Sequence, residues 1–190
     1  IAQELTYYGL DLYGDRKLKD LLKNLSDVEG LEWIRLHYAY PSGFPTDILD
    51  TIRERDNICN YLDIPLQHIS DNVLKHMRRG INQRRTVKLM ETIRERVPDI
   101  TVRTTLLVGH PGETEDAHKA LKEFVEQFSI DRIGVFSYSH EENTHAGDVY
   151  EDLIPAEVKD RRKDEIMELQ QDISFSLNQK KTGKVLKCLI

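Results

Sequence analysis

The sequence has few cysteines and no long apolar run. Its 190 residues include only two cysteines, Cys59 and Cys188, which lie far apart and lack any short metal-ligand spacing. This scarcity argues against a disulfide framework and against a metal site built from this chain alone, and it favours a reducing, cytoplasmic compartment. No segment approaches the roughly 20 apolar residues that cross a bilayer, so no membrane partner is expected. The histidines show no HExxH-type spacing that predicts a zinc site.

Positive charge is also scarce. The chain has 27 Lys and Arg against 33 Asp and Glu, which gives a net charge of -6 at pH 7. A protein that binds nucleic acid mainly through phosphate contacts usually carries a positive excess, so any such face is local or lies outside this chain. The chain begins at Ile1 without an initiator Met and ends inside the apolar run 184–190, so we expect it to be part of a longer protein.

Apolar residues switch repeatedly between helical and strand spacing along the chain. Leu18, Leu21, Leu22 and Leu25, for example, recur at the positions of one helix face. The switching predicts successive β-α units with parallel strands, either in a doubly wound open sheet or in a partial or closed barrel. In each case a ligand binds at the carboxyl ends of the strands. The predicted helices are 17–25, 47–54, 70–78, 86–97, 117–128 and 155 to about 183, and the predicted strands are 33–38, 61–64, 101–108, 132–138 and 184–190.

Polar residues follow these strands, where a ligand is expected. The run 106–114 reads as a strand end, a glycine turn and a helix start, and Gly109 and Gly112 let the backbone approach a ligand. A plain β-α turn fits the same pattern. Pro65 interrupts a strand-like run and directs Gln67, His68 and Ser70 towards the strand ends, although Ser70 also fits a helix cap. The charged residues of 157–168 indicate a solvated helix face.

Five stretches together resemble the core of the radical S-adenosylmethionine methylthiotransferases. The loop Gln67-His-Ile-Ser70 is most similar to the subfamily that adds a methylthio group to the β-carbon of an aspartate in small-subunit ribosomal protein S-twelve. The tRNA-modifying members usually carry Gln-Ser-Gly-Ser there, and a tRNA adenosine methylthiotransferase is the alternative activity. The five stretches are 2–3 with 7–13, then 33–41, 61–71, 103–114 and 132–139.

The resemblance implies an α/β fold, a partial TIM-like (β/α) barrel of the radical SAM type whose first strand and cluster loop precede this chain. It divides the chain into a core at 1–183 and the first strand of a C-terminal TRAM domain at 184–190. It also implies S-adenosylmethionine as cofactor, two 4Fe-4S clusters with ligands outside this chain, an electron donor, and the ribosomal protein or small subunit as partner. By itself the chain is then expected to be inactive, and a catalytically silent β/α binding domain is the remaining alternative.

The resemblance also assigns cofactor-binding residues by position. Two residues lie near the ribose and methionyl groups, two face the barrel interior, two match an adenine-side motif, and the last segment supplies backbone contacts. His110 stands where relatives usually have Phe, and Asn143-Thr-His145 departs from the usual Gly-Thr-Pro. Gly109→Val is expected to impair cofactor binding more than folding. The residues near the ribose and methionyl groups are Gln67 and Ser70, and those that face the barrel interior are Arg103 and Thr104. Those of the adenine-side motif are Gly109 and Glu113, and those that supply backbone contacts are Phe136 and Tyr138.

Overall fold

The computed structural model describes residues 4–187, which form a parallel four-stranded sheet with helices packed on one face. The strands are β1 (Ile34–Leu36), β2 (Ile58–Asp63), β3 (Thr101–Val108) and β4 (Arg132–Ser137). Their order in the sheet is β1-β2-β3-β4, so each strand lies beside the next one in sequence. A doubly wound sheet reverses its strand order at a switch point, whereas a barrel does not. The order therefore confirms the partial barrel.

Eight helices lie in the described part of the chain, after a single 3-10 turn at Leu5–Tyr7. Their capping follows local sequence: Asn82 accepts a hydrogen bond from Arg85 N–H, and Thr114 accepts one from Ala117 N–H. The helices are α1 (Leu10–Tyr13), α2 (Leu18–Ser26), α3 (Ile48–Glu54), α4 (Asp71–His76), α5 (Gln83–Arg96), α6 (Glu115–Phe128), α7 (His145–Val149) and α8 (Ala156–Gln179).

The two faces of the sheet differ in burial. Along β3 every second residue, from Val102 to Val108, is buried against the helix layer, and the residues between them are partly exposed. Leu62 of β2 and Leu121 of α6 are fully buried in the same apolar core. The other face, which we call the open face and define by Arg35, Tyr61, Asp63, Arg103 and Thr105, corresponds to the interior of a barrel.

Several predicted boundaries are wrong, for local reasons. β1 ends before Tyr38 because Tyr38 has φ +59°, outside the range of a strand. β2 begins at Ile58, where it pairs with Ile34 of β1, and α5 begins three residues early, after its Asn82 cap. Neither α1 nor α7 was predicted.

Two terminal predictions fall partly outside the described residues. Residues 4–33 contain no strand, and Gln3, in the first stretch of the resemblance, lies outside the described range. Residues 184–187 have no regular secondary structure, and 188–190, including Cys188, lie outside the described range. The assignment of 184–190 to a TRAM domain stays a prediction.

Candidate cofactor and substrate site at the strand ends

An ion pair joins β2 and β3 on the open face. Nη1 of Arg103 donates to both carboxylate oxygens of Asp63, at 3.0 and 2.8 Å. Asp63 has 3% of its side chain exposed, while Arg103 has 42%. His37, which follows β1, brings its Nδ1 to 3.6 Å from Asp63 Oδ2. The pair therefore fixes a partly exposed guanidinium at the carboxyl ends of β1 and β2.

The prediction that Thr104 also faces the interior is wrong. Successive residues of a strand point to opposite faces, so Arg103 and Thr104 cannot share one. Thr104 is fully buried on the helix side, where its hydroxyl donates to Ile64 O at 2.8 Å and accepts from Leu66 N–H at 3.1 Å. Its role is to hold the segment that leaves β2 against β3.

Gln67 and Ser70 lie on that segment, with free side chains. Gln67 has φ +68°, and its backbone bridges β3 by donating to Thr105 O and accepting from Leu107 N–H. Ser70 precedes α4 at the cap position, yet its hydroxyl makes no cap hydrogen bond. Within residues 4–187 neither the Gln67 amide nor the Ser70 hydroxyl is engaged by another protein group. Both remain available to a ligand.

The space beside the turn after β3 is filled by the Lys159 side chain and is not open to a ligand. Gly109 has φ +75°, and a Cβ placed on it would clash with Lys159 Cγ of α8. Its N–H donates to the Glu113 carboxylate. The glycine is therefore required by the left-handed backbone and by the close approach of a lysine side chain.

Glu113 is the buried centre of a charge network behind that turn. Its side chain has no exposed surface, and its Oε2 accepts from Arg162 Nη1 at 3.0 Å. His68 Nδ1 accepts from Ser70 N–H, which leaves Nε2 to donate to Glu113 Oε1 at 3.3 Å. Glu113 thus organises the turn from within and presents no atom to a ligand.

The electrostatics of this network keep Glu113 charged. Burial acts to raise the pKa of Glu113, but the neighbouring His118 and His68 and the Gly109 N–H outweigh it, so the pKa falls from 4.5 to about 2. The His118 Nδ1 atom lies 3.7 Å from Oε1, which is an electrostatic contact and too long for a hydrogen bond.

Two cations of α8 are buried, which corrects the prediction of a solvated helix face. Lys159 is 7% exposed and Arg162 is 3% exposed. Lys159 Nζ donates to Tyr138 O at 3.2 Å and pairs with Asp152 at 2.5 Å. Since Arg162 binds Glu113, α8 contacts both the turn after β3 and the end of β4.

In the segment that contains Phe136 and Tyr138, the Phe136 side chain is exposed, whereas the Tyr138 backbone is already hydrogen-bonded. The Tyr138 N–H donates to Val108 O and its carbonyl accepts from Lys159, so both backbone groups are already engaged. Phe136 has 59% of its surface exposed and pairs with Leu107 in the sheet, which places its ring on the open face. The Tyr138 backbone is therefore unavailable to a ligand, and this segment presents the Phe136 ring as an aromatic surface.

His110 packs as a buried aromatic residue. It is 3% exposed, with its ring centroid 5.0 Å from that of Tyr138 and 6.3 Å from that of Tyr150. Burial lowers the pKa of His110, so the ring is neutral. This explains how it occupies a position where the resemblance expects Phe. His145 begins α7 and lies edge-on to Tyr150, at 5.6 Å.

The residues between 4 and 187 contain no group of three or more side chains that could hold a metal ion. Cys59, on β2, is a partly buried free thiol. The described helices also include none that is long and apolar enough to cross a membrane.

Sequence reasoning missed the residues that hold the site together. Asp63, Lys159 and Arg162 were not selected, and His68 was noted only as part of a loop. Asp63 is an acidic residue inside the otherwise apolar run 61–64, and this position could have indicated a buried functional carboxylate. For α8, the signal was that Lys159 and Arg162 share a helix face with the buried Ile166.

A sequence model of the family described as the Radical SAM superfamily matches residues 3–125. Curated relatives named "Ribosomal protein uS12 methylthiotransferase RimO" are 58% identical in Flavobacterium johnsoniae, 58% in Cytophaga hutchinsonii and 56% in Bacteroides thetaiotaomicron. Each comparison covers 100% of this chain but only 43%, 43% and 44% of the relatives, so the chain spans less than half of their length.

A solved structure supports the fold independently. Its description reads "Coproporphyrinogen III oxidase (HemN) from Escherichia coli is a Radical SAM enzyme". The two chains share a TM-score of 0.62 at 20% sequence identity, over 83% of this chain and 37% of that one. At this identity the likeness concerns the arrangement of strands and helices.

Proposed function

Because the chain belongs to the radical SAM superfamily, we propose that it is the core of a methylthiotransferase that modifies an aspartate of ribosomal protein uS12, called S-twelve above. One observation carries this proposal: relatives bearing that name match 189 or 190 residues of this chain at 56–58% identity. The loop Gln67-His-Ile-Ser70, which resembles the same subfamily, supports it. The relatives are more than twice as long as this chain, so the activity belongs to a longer protein.

The open face fits S-adenosylmethionine, a ligand with an apolar ring and several polar groups. The exposed ring of Phe136 offers a surface to the adenine. The Gln67 amide and the Ser70 hydroxyl are unengaged and suit the ribose and the methionyl group. When bound with a reduced cluster, this cofactor supplies a carbon radical that activates the substrate.

The described residues, 4–187, do not fit an iron–sulfur cluster. Ligation takes several thiolates at one site, and Cys59 is a single thiol on β2. The two clusters, their ligands and the contact with an electron donor therefore belong to the remainder of the longer protein in this proposal. So does a TRAM domain beginning at 184.

This chain's own contribution is to position and to bind. Glu113 and Lys159 hold the turn after β3 and the end of β4 in fixed positions, while Thr104 holds the segment that carries Gln67. None of these three needs to exchange a proton with a substrate. A ribosomal-protein substrate places the longer enzyme in the cytoplasm.

The test compares two substrates with the full-length protein. The protein is reconstituted anaerobically with iron and sulfide, supplied with reductant and S-adenosylmethionine, and incubated with small ribosomal subunits or with bulk tRNA. Mass spectrometry then looks for a methylthio group on each, with a reaction lacking reductant as control. We expect modified uS12 and unchanged tRNA. A methylthio-adenosine in tRNA with unmodified uS12 would replace the proposal by its tRNA alternative.

A further inference from the structure

We propose that Arg103 binds the carboxylate of the acidic side chain that the enzyme modifies. The inference rests on the proposed function, since it takes an aspartate of a protein as substrate. It differs from the role that the resemblance assigns to Arg103, which is contact with the cofactor.

The hydrogen bonds of Arg103 leave one edge of its guanidinium free. A single nitrogen, Nη1, donates to both oxygens of Asp63. Within residues 4–187, Nη2 and Nε of Arg103 have no acceptor. A guanidinium edge of two parallel N–H groups matches the two oxygens of a carboxylate. Asp63 therefore holds the side chain in place and leaves the recognising edge unused.

The cavity beside Arg103 is cationic and contains a second unused donor. It has a volume of about 630 Å³, with Arg35, Tyr61 and Arg103 on its sheet side, and it extends past the amino ends of β3 and β4 to Gln170 and Ser174 of α8. Arg35 lies over the Tyr61 ring at 3.9 Å and has no carboxylate partner in the described chain. The Tyr61 hydroxyl is buried without a hydrogen-bond partner, and Tyr61 is 9% exposed. Such an unpaired polar group is costly, and an anionic ligand would relieve it.

The position of Arg103 separates it from the turn after β3. Arg103 precedes Gly109 by six residues on one strand, which is about 20 Å along the sheet. At a level between Arg103 and Gly109, the backbone of Gln67 hydrogen-bonds to Thr105 and Leu107 of β3. The side-chain amide of Gln67 is unengaged. Gln67, which is proposed to bind the cofactor, and Arg103, which is proposed to bind the carboxylate, thus lie at different positions along β3.

The test uses reconstituted full-length enzyme and purified uS12 with either its target aspartate or asparagine in that place. Arg103→Gln removes the cationic edge and Arg103→Lys keeps the charge without the planar fork. Arg84→Gln is the control, since Arg84 is an exposed arginine of α5 that does not line this cavity. The measurements are KM and kcat for uS12, S-adenosylmethionine affinity by calorimetry, and thermal unfolding.

We expect Arg103→Gln to raise the KM for uS12 by about tenfold or more, because a charge-assisted contact is lost. The affinity for S-adenosylmethionine should stay unchanged, the preference for aspartate over asparagine should narrow, and Arg103→Lys should recover part of the loss. The double variant Asp63→Asn, Arg103→Gln leaves no unpaired buried carboxylate. It therefore tests recognition even where the single variant fails to fold.

Two results overturn the inference while leaving the proposed function intact. One is an unchanged KM and an unchanged aspartate preference in folded Arg103 variants of an enzyme that modifies uS12. The other is a fall in S-adenosylmethionine affinity that accounts for the whole defect, which would return Arg103 to the cofactor. An unsubstituted enzyme that modifies only tRNA refutes the proposed function itself, and the inference with it.

Discussion

Replacing Glu113 with Gln tests the charge network behind the turn after β3. The amide keeps an oxygen for the Gly109 N–H but removes the charge that balances Arg162, which is 3% exposed. The pKa of Glu113 falls from 4.5 to about 2 on folding, and at about 1.4 kcal/mol per pKa unit this corresponds to about 3 kcal/mol of stability at neutral pH. Loss of one partner of a buried pair has a similar cost.

The pH dependence has a definite sign. Because the folded-state pKa lies below the unfolded value, the stabilisation by Glu113 is fully present above pH 4.5 and is lost as the pH falls through about 2. The difference in unfolding free energy between the unsubstituted chain and Glu113→Gln should therefore be about 3 kcal/mol at pH 7 and shrink towards zero near pH 2.

Urea unfolding followed by circular dichroism measures this difference. Glu123→Gln is the matched control, because Glu123 is 64% exposed and its partner Lys119 lies 3.9 Å away. Such a surface pair should contribute less than about 1 kcal/mol. An effect of Glu113→Gln no larger than that of the control, or a difference that stays constant between pH 7 and pH 2, would refute the reasoning.

Three further predictions concern single features of the chain. Gly109→Ala should destabilise it by clearly more than Gly30→Ala in thermal unfolding: both glycines have positive φ, but only the Cβ at Gly109 would meet Lys159. Equal shifts would contradict this reading of the turn. Thr104→Val should cost about 1–3 kcal/mol in urea unfolding because it leaves two buried backbone groups unpaired. Thr105→Val, on the open face, should cost much less, and a reversed order would be inconsistent with the assigned faces. Anaerobic reconstitution of the 190-residue chain should yield no stoichiometric iron or sulfide, and a stable cluster would contradict this.

The strands and helices could be predicted because their signals are local. β3 spans 101–108 as predicted, because the run of β-branched and apolar residues typical of a strand begins at Thr101 and ends at Val108. The order of the strands could not be predicted in the same way. An alternating series of strands and helices fits a barrel and a doubly wound sheet equally well, and only pairing between distant segments separates them.

The site was predictable where its residues follow a strand. Gln67 and Ser70 do lie at the strand ends with free side chains, as chain position indicated. The partners that hold the site were not predictable, because Lys159 and Arg162 come from α8, about fifty residues after the turn. A Lys or Arg in a charged helix is usually solvated, and burial depends on an acid elsewhere in the fold.

The buried cations of α8 join this helix to the site as one unit of local unfolding. Detaching α8 would remove Arg162 from the Glu113 carboxylate and the Tyr138 carbonyl from the Lys159 ammonium, so the helix and the turn should open together. Amide hydrogens of both segments should then exchange with solvent at matched free energies. A ligand bound to Gln67 and Ser70, on the segment that contacts Glu113 through His68, would slow exchange along α8, far from any atom that it contacts.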